Sequence, residues 1–333
     1  MQPEVSIIMP LYNATQYVEL CLQSICNQTF DDIEVVMIDD CSKDDTVEVV
    51  ERYISQYTGN ILLRLLCNQQ NMGPGKTRNR GIKLATGKYI MFVDSDDLLP
   101  PDAVCQMQNA ANSYGVEAVL SNFSFMQPET DTIPLSLPMS DEYPLIATGQ
   151  YETNATIFSF QSKFVGVPWG KLILRSFLAE NGITFSDAYR EEDSCWWLLC
   201  MFRLNSIYVL NKPLYFYRKG HDSLMTVNNN DEYMLNQKII NLKHAYNYVV
   251  THGMYSGKCM EHVQANRTHL IKWAFKINPV NTRMMFDTLC NLTANKHEEF
   301  WQGCVGLKAK INNLYLILPS TVGYYYMKLL STF

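Results

Sequence analysis

Over its first 120 residues the chain alternates between two hydrophobic periods. Val5–Met9, Ile33–Ile38, Ile61–Leu66 and Tyr89–Val93 are short apolar runs rich in β-branched residues, the pattern of strands covered on both faces. Ala14–Cys26, Asp44–Gln56 and Pro74–Ala85 lie between them and read as helices. In the first, Tyr17, Val18, Cys21, Leu22 and Ile25 fall at helical spacing. Asn13 and Ser42 suit N-cap positions, Pro74 suits an early helical position, and Gly87 suits the end of the third helix. Strand, helix, strand, helix predicts right-handed βαβ units and a mostly parallel, Rossmann-like sheet flanked by helices. Such sheets bind ligands at the carboxyl ends of their strands, so chemistry is expected just after each strand.

Beyond residue 120 the alternation changes. Residues 126–150 hold prolines at 128, 134, 138 and 144, four acids and no Lys or Arg, which predicts a long loop. Trp169–Asn181 and Asp193–Asn205 read as helices, and Ser206–Leu210 and Leu214–Tyr217 as strands. From about residue 228 the chain reads as helical without further strands, and there is no internal repeat. These shifts divide it into a 1–225 α/β part, itself two halves at 1–120 and 121–225, and a helical extension at 226–333.

Composition narrows the class. Hydrophobic residues make up 47% and charged residues 18% of the 333 positions, as in an ordinary folded protein with its own core. The ten cysteines form no C-x-x-C pair and no zinc-spaced cluster, so reduced thiols in a cytoplasmic protein are expected. Met-Gln-Pro-Glu at the start lacks the basic region of a signal peptide. Charge is uneven. Residues 1–225 carry 16 Lys/Arg against 27 Asp/Glu, a net of −11, and residues 226–333 carry 11 against six, a net of +5. The acidic part argues against nucleic acid as a partner.

The densest chemistry is Val93-Asp94-Ser95-Asp96-Asp97, directly after an apolar strand. Three carboxylates within four residues repel one another unless a cation neutralises them. Magnesium or manganese held by one or two of them plus substrate phosphates fits, and so does an acidic turn capping a helix that starts near Pro101. The other strand ends add Met9-Pro10-Leu11-Tyr12-Asn13, Ile38-Asp39-Asp40-Cys41-Ser42 and Asn71-Met72-Gly73-Pro74-Gly75-Lys76-Thr77-Arg78-Asn79-Arg80-Gly81. A Walker A loop is excluded because Gln70 stands where its first glycine would be, and no G-x-G-x-x-G follows the first strand.

This ordered series resembles the nucleotide-sugar half of glycosyltransferase family 2, which implies a GT-A fold and an inverting sugar transfer. By that resemblance, Tyr12 beside Pro10 lies against the nucleobase. Asp40, with Asp39 next to it, accepts a hydrogen bond from the base, which favours uracil and hence a UDP-sugar. Arg78 holds the nucleotide side, Asp94 and Ser95 belong to the ribose and sugar contacts, and Asp96 ligates a Mn2+ or Mg2+ ion that bridges the diphosphate. Lys76 departs modestly from the family, which has small residues here.

The resemblance continues through Trp169-Gly170-Lys171-Leu172 and Glu191-Glu192-Asp193, where Asp193 matches the catalytic base, to Tyr217-Arg218…His221…Ser223. His221 either completes the metal site or is an exposed loop histidine. Inversion needs a carboxylate on the face opposite the leaving group, and the chain has two separate acidic sites. The family suggests a glycan or lipid-linked acceptor in capsule, O-antigen or exopolysaccharide assembly.

The rivals are an inactive nucleotide-sugar-binding module of the same fold and a nucleotidyltransferase. The latter would want a Gly- and Lys/Arg-rich loop where Tyr12-Asn13-Ala14-Thr15 stands. Near the C-terminus, Leu314–Met327 is uncharged but too short to span a bilayer. With the basic helices it suits either interfacial docking on the inner face of the plasma membrane or a helical cap or dimer contact.

Overall fold

The computed structural model describes residues 2–127, 129–140, 147–159, 163, 166–219, 230–254, 258–277, 281–293, 296–304 and 306–331. It divides into two compact units. The first comprises residues 1–185 and 196–227, the second residues 186–195 and 228–333.

The first unit is built on one eight-stranded sheet. Its strands are β1 (Val5–Leu11), β2 (Ile33–Asp39), β3 (Leu62–Cys67), β4 (Tyr89–Phe92), β5 (Ala118–Met126), β6 (Gly149–Glu152), β7 (Lys171–Leu174) and β8 (Ser206–Arg218). They lie in the order β3-β2-β1-β4-β7-β5-β8-β6. The four N-terminal strands pair in parallel, and β7 pairs antiparallel with both β4 and β5. Helices α1 (Val18–Cys26), α2 (Thr46–Gln56), α3 (Pro74–Leu84) and α4 (Ala103–Tyr114) connect the first five strands, and α5 (Asn154–Ser159), α6 (Arg175–Glu180) and α7 (Glu192–Arg203) follow. Every residue of β2 and β4 is buried, as continuous apolar runs require. The strand order turns back between β1 and β4, so the loops after these two strands diverge and open a crevice above them.

Close packing fixes α3 against the sheet. A Cβ at Gly81 would come within 2.3 Å of the Ile8 side chain, so only glycine lets this helix lie so near β1.

Four expectations are corrected. Residues 169–174 do not open a helix. Gly170 takes φ +67°, and Lys171–Leu174 fills the gap between β4 and β5 as a strand before α6 begins at Arg175; a short apolar run is ambiguous between helix and strand, and pairing partners decide. The two short strands at 206–210 and 214–217 are one strand, β8. Its pairing with β5 slips between Ser121 and Asn122, whose partners are Leu210 and Pro213, and that irregularity accommodates a proline with no N–H to donate. The third helix ends at Leu84 rather than Gly87, which sits where a Cβ would press to 2.6 Å from the Ser6 backbone nitrogen. The stretch expected as a long loop holds β6 at its end.

The second unit contains α8 (Asp231–Thr251), α9 (Lys258–Ile277), α10 (Thr282–Cys290), α11 (Lys296–Gly303), α12 (Leu307–Asn313) and α13 (Ser320–Leu330). A buried ion pair between Arg267 and Glu299 lies inside it, joined by Gln264 and the Tyr315 hydroxyl. Among the described residues no helix is long and apolar enough to cross a membrane.

Candidate active site

The loops after β1 and β2 are tied to each other. The Asp40 amide donates to the Leu11 carbonyl at 2.8 Å, the Asn13 amide to Ser42 Oγ at 3.0 Å, and the Lys43 amide to Asn13 Oδ1 at 2.8 Å. Asn13 and Cys41 both have positive φ, 50° and 66°, a conformation that a side chain tolerates only when its surroundings hold it. Asn13 and Ser42 are therefore loop-to-loop links. The N-caps of α1 and α2 are Tyr17 and Asp45, neither with a side-chain cap bond. Pro10 lies within β1, and Tyr12, just past its end, keeps 42% of its surface exposed, so its ring is open to a stacking partner.

Asp39 and Asp40 are both buried and face different tasks. Asp39 accepts from the Cys41 and Ser42 amides at 3.0 and 3.1 Å and from the Ser42 hydroxyl, closing the turn after β2. Asp40 accepts from Asn68 Nδ2 at 2.7 Å and from the Met72 and Gly73 amides, both at 2.8 Å. It thereby fastens the loop entering α3, where Gly73 has φ +84°. A carboxylate has about four lone-pair directions, and these three donors fill all but one of them.

From α3, Arg78 Nη2 donates to Asp94 Oδ1 at 2.8 Å, and its guanidinium lies 5.6 Å from the Phe185 ring centroid. The three carboxylates of the acidic turn are not equivalent. Asp94, Ser95 and Asp96 are half-buried, but Asp97 is fully buried. The Tyr215 hydroxyl donates to Asp97 Oδ2 at 2.6 Å and accepts from the Asp94 amide at 3.1 Å. The Arg218 amide donates to Asp97 Oδ1 at 2.8 Å, and its guanidinium to the Asp96 carbonyl at 2.8 Å. Leu98 and Phe216 exchange backbone hydrogen bonds at 3.1 and 2.9 Å. Asp97 thus anchors the turn to β8. Burial, and then the charges of Asp96 and Asp94, push its carboxyl well above the usual range.

Tyr215, Asp97 and Arg218 were not among the residues to which sequence reading gave a site role. The run Leu214–Tyr217 followed by Arg was visible, but which of its aromatics reaches the turn depends on the register of β8. Tyr215 also stacks on Trp169 at 4.5 Å, so the Trp-Gly-Lys-Leu segment packs against the same strut. Arg218, above the Tyr17 ring at 4.6 Å, forms one wall of a cleft of about 310 Å3 between α1 and residues 129–131.

Asp193 stands in the first turn of α7, in the second unit, with Glu191 at φ +57° just before it. His221 lies outside the described residues, as does Ser223. Among the described residues no group of three His, Cys, Asp or Glu side chains gathers at metal-binding distance. Asp94 and Asp96 offer hard oxygens from one turn, which fits a Mg2+ or Mn2+ ion that takes its remaining ligands from phosphate and water.

The family model for glycosyl transferase family 2 matches residues 6–182, more than half of the chain. The chain belongs to glycosyltransferase family 2. Bacillus subtilis EpsH, a glycosyltransferase by name, is 29% identical over 219 residues, which cover 65% of this chain and 61% of EpsH. The poly(ribitol-phosphate) beta-glucosyltransferase of Bacillus spizizenii is 32% identical over 186 residues, 55% of this chain and 27% of that protein. This chain spans about three fifths of the length of EpsH and of two other curated relatives it matches. The fold compares with residues 1–349 of S. aureus TarS at a TM-score of 0.62 and 19% identity, over 98% of this chain and 90% of that one. The family 2 match ends before Asp193, so that residue and α8–α13 lie outside it.

Proposed function

We propose that this family 2 protein is a metal-dependent, inverting glycosyltransferase that takes a sugar from a UDP-sugar and passes it to an acceptor hydroxyl in cell-surface polysaccharide assembly. The observation that carries the reading is the Asp94–Asp96 turn. It sits at the carboxyl end of β4, beside the crevice where the strand order reverses, with Arg78 already on Asp94. A uracil nucleotide is supported by the exposed Tyr12 ring, whose neighbour Leu11 accepts from the Asp40 amide, and by the UDP-GlcNAc complex known for TarS, a protein of the same fold.

In this reading Tyr12 stacks on the base and Asp40 uses its remaining lone pair to accept from it. Arg78 turns from Asp94 toward the nucleotide, and Asp94 and Ser95 face the ribose and sugar. Asp96 would hold the cation. When bound there, its chemistry is Lewis-acid neutralisation of the charge on the leaving diphosphate. Asp193 takes the proton of the attacking hydroxyl, a step worth about 10²–10⁴ in rate. A glycan or lipid-linked acceptor at the inner face of the plasma membrane fits the exposed apolar side chains of α12 and α13. These are Leu307, Ile311, Val322, Tyr325 and Leu329, set among Lys308, Lys310 and Lys328.

The test is UDP release from a panel of UDP-sugars by the purified protein, with and without manganese. Manganese-dependent release from one sugar is expected, and Asp193→Asn should cut it by about 10²–10⁴ while UDP still binds. UDP binding without turnover of any donor would favour the alternative, an inactive nucleotide-sugar-binding module.

A further inference from the structure

The second unit consists of the C-terminal helices together with ten residues from the middle of the chain, 186–195, and these ten carry Asp193. The grip comes from one face of α8. The Tyr189 amide donates to Gln237 Oε1 at 2.7 Å, Asn241 Nδ2 donates to the Arg190 carbonyl at 2.8 Å, and the Ser186 hydroxyl donates to Asn241 Oδ1. The Cys195 thiol reaches the Asn241 carbonyl at 3.4 Å. Gln237 and Asn241 are buried and four residues apart, hence on one side of the helix. Between them in sequence, Lys238 pairs with both oxygens of Glu191.

Glu191 is held at φ +57°, a left-handed conformation that a non-glycine residue keeps only where its neighbours over-determine it. That residue is the last before α7, and its carbonyl accepts from the Cys195 amide at 3.2 Å to start the helix. The direction in which the chain enters α7, and with it the place of Asp193 one residue into the helix, follows from this bend. Local propensity does not supply such a bend, whereas α8 side chains hold Tyr189 and Arg190 before it and Glu191 itself.

We infer that α8 is the positioning element for the catalytic carboxylate, with Gln237, Asn241 and Lys238 as positioning residues, and that the C-terminal helices are a working part of the transferase rather than an appendage. The inference rests on the reading of Asp193 as the base.

The experiment uses the full chain with Asn241→Ala, Lys238→Ala, Lys238→Arg and Asp193→Asn. UDP with manganese is the binding probe. UDP-glucose, UDP-galactose and UDP-N-acetylglucosamine are the turnover probes, read as UDP release. Asn241→Ala and Lys238→Ala should each slow turnover about 10–100-fold, the cost of roughly an ångström of misplacement. UDP affinity should stay within about twofold of wild type. Lys238→Arg should restore the rate. Lys238→Ala should also move the acid limb of the pH–rate profile upward, because Glu191 then adds unbalanced negative charge near Asp193; a merely structural loss would leave that limb in place. Lys238 is part-exposed, so its variants report even if Asn241→Ala does not fold. Wild-type turnover in the Asn241 and Lys238 variants, with Asp193→Asn impaired, overturns the inference and leaves the base reading intact. Parallel loss of UDP affinity and turnover overturns it as general damage. Undiminished turnover in Asp193→Asn removes the base reading itself and this inference with it.

Discussion

Two sets of carboxylates sit at opposite ends of the same parallel strands, and the chain treats them in opposite ways. At the amino ends, Glu34 on β2 is wholly enclosed. It accepts from the Ser6 hydroxyl and the Thr86 amide at 2.6 Å, the Thr86 hydroxyl at 2.8 Å, the Gly87 amide at 3.3 Å and Arg64 at 2.9 Å. Burial pushes its carboxyl up, but these donors outweigh burial and leave it below its ordinary value. At the carboxyl ends, Asp97 is enclosed in a comparable way, while Asp94 and Asp96 on the same turn stay half-exposed. Glu34 and Asp97 are shut away from solvent among their donors, whereas Asp94, though paired with Arg78, and Asp96 keep part of their surface open to solution. The difference lies in exposure: the enclosed carboxylates are spent on the fold, and the half-exposed pair stays within reach of solvent.

The comparison can be broken from either end. Glu34→Leu should cost about 3–5 kcal/mol by leaving Arg64 and several donors without their acceptor, read from denaturant unfolding, with UDP affinity of the folded protein unchanged. Asp96→Ala should do the reverse, lowering manganese-dependent UDP affinity at least about 100-fold in calorimetry while hardly moving the unfolding midpoint. If Asp96→Ala instead unfolds the protein, the turn is structural throughout and the contrast fails. Tyr215→Phe lies between them. Losing the hydroxyl that joins Asp97 to the Asp94 amide should cost about 1–3 kcal/mol of stability, with a milder drop in UDP affinity as the turn loosens.

The smallest effect is one of pH. Because Glu34 has a lowered pKa in the folded state, the unfolded chain binds more protons there, and stability falls as pH drops below the ordinary glutamate value of about 4.3. Glu34→Gln should flatten that acid limb in unfolding curves recorded between about pH 3 and 6.

Much of the first unit was legible from periodicity, because β1, β2 and β4 are continuous apolar runs closed by turn residues. What pattern could not show was pairing. Lys171–Leu174 looks like the start of a helix until its neighbours β4 and β5 are known, and Pro213 looks like a strand break until the slip in β8 absorbs it. The same holds for the site. The Asp94–Asp97 cluster is plain in the sequence, but the inward turn of Asp97 depends on Tyr215 and Arg218, more than 115 residues away. Glu34 in an otherwise apolar strand gave no local sign of the five donors that surround it. Asn13 and Ser42 have good capping chemistry, and tertiary links between the two loops claimed it first.

The three donors on Asp40 have a kinetic consequence. These bonds hold the loop in one shape, so under the proposed function nucleotide capture would leave little of that segment to freeze and sacrifice little chain entropy. Association should then run at the pace of diffusional encounter, with discrimination among nucleotides written in how long each one stays.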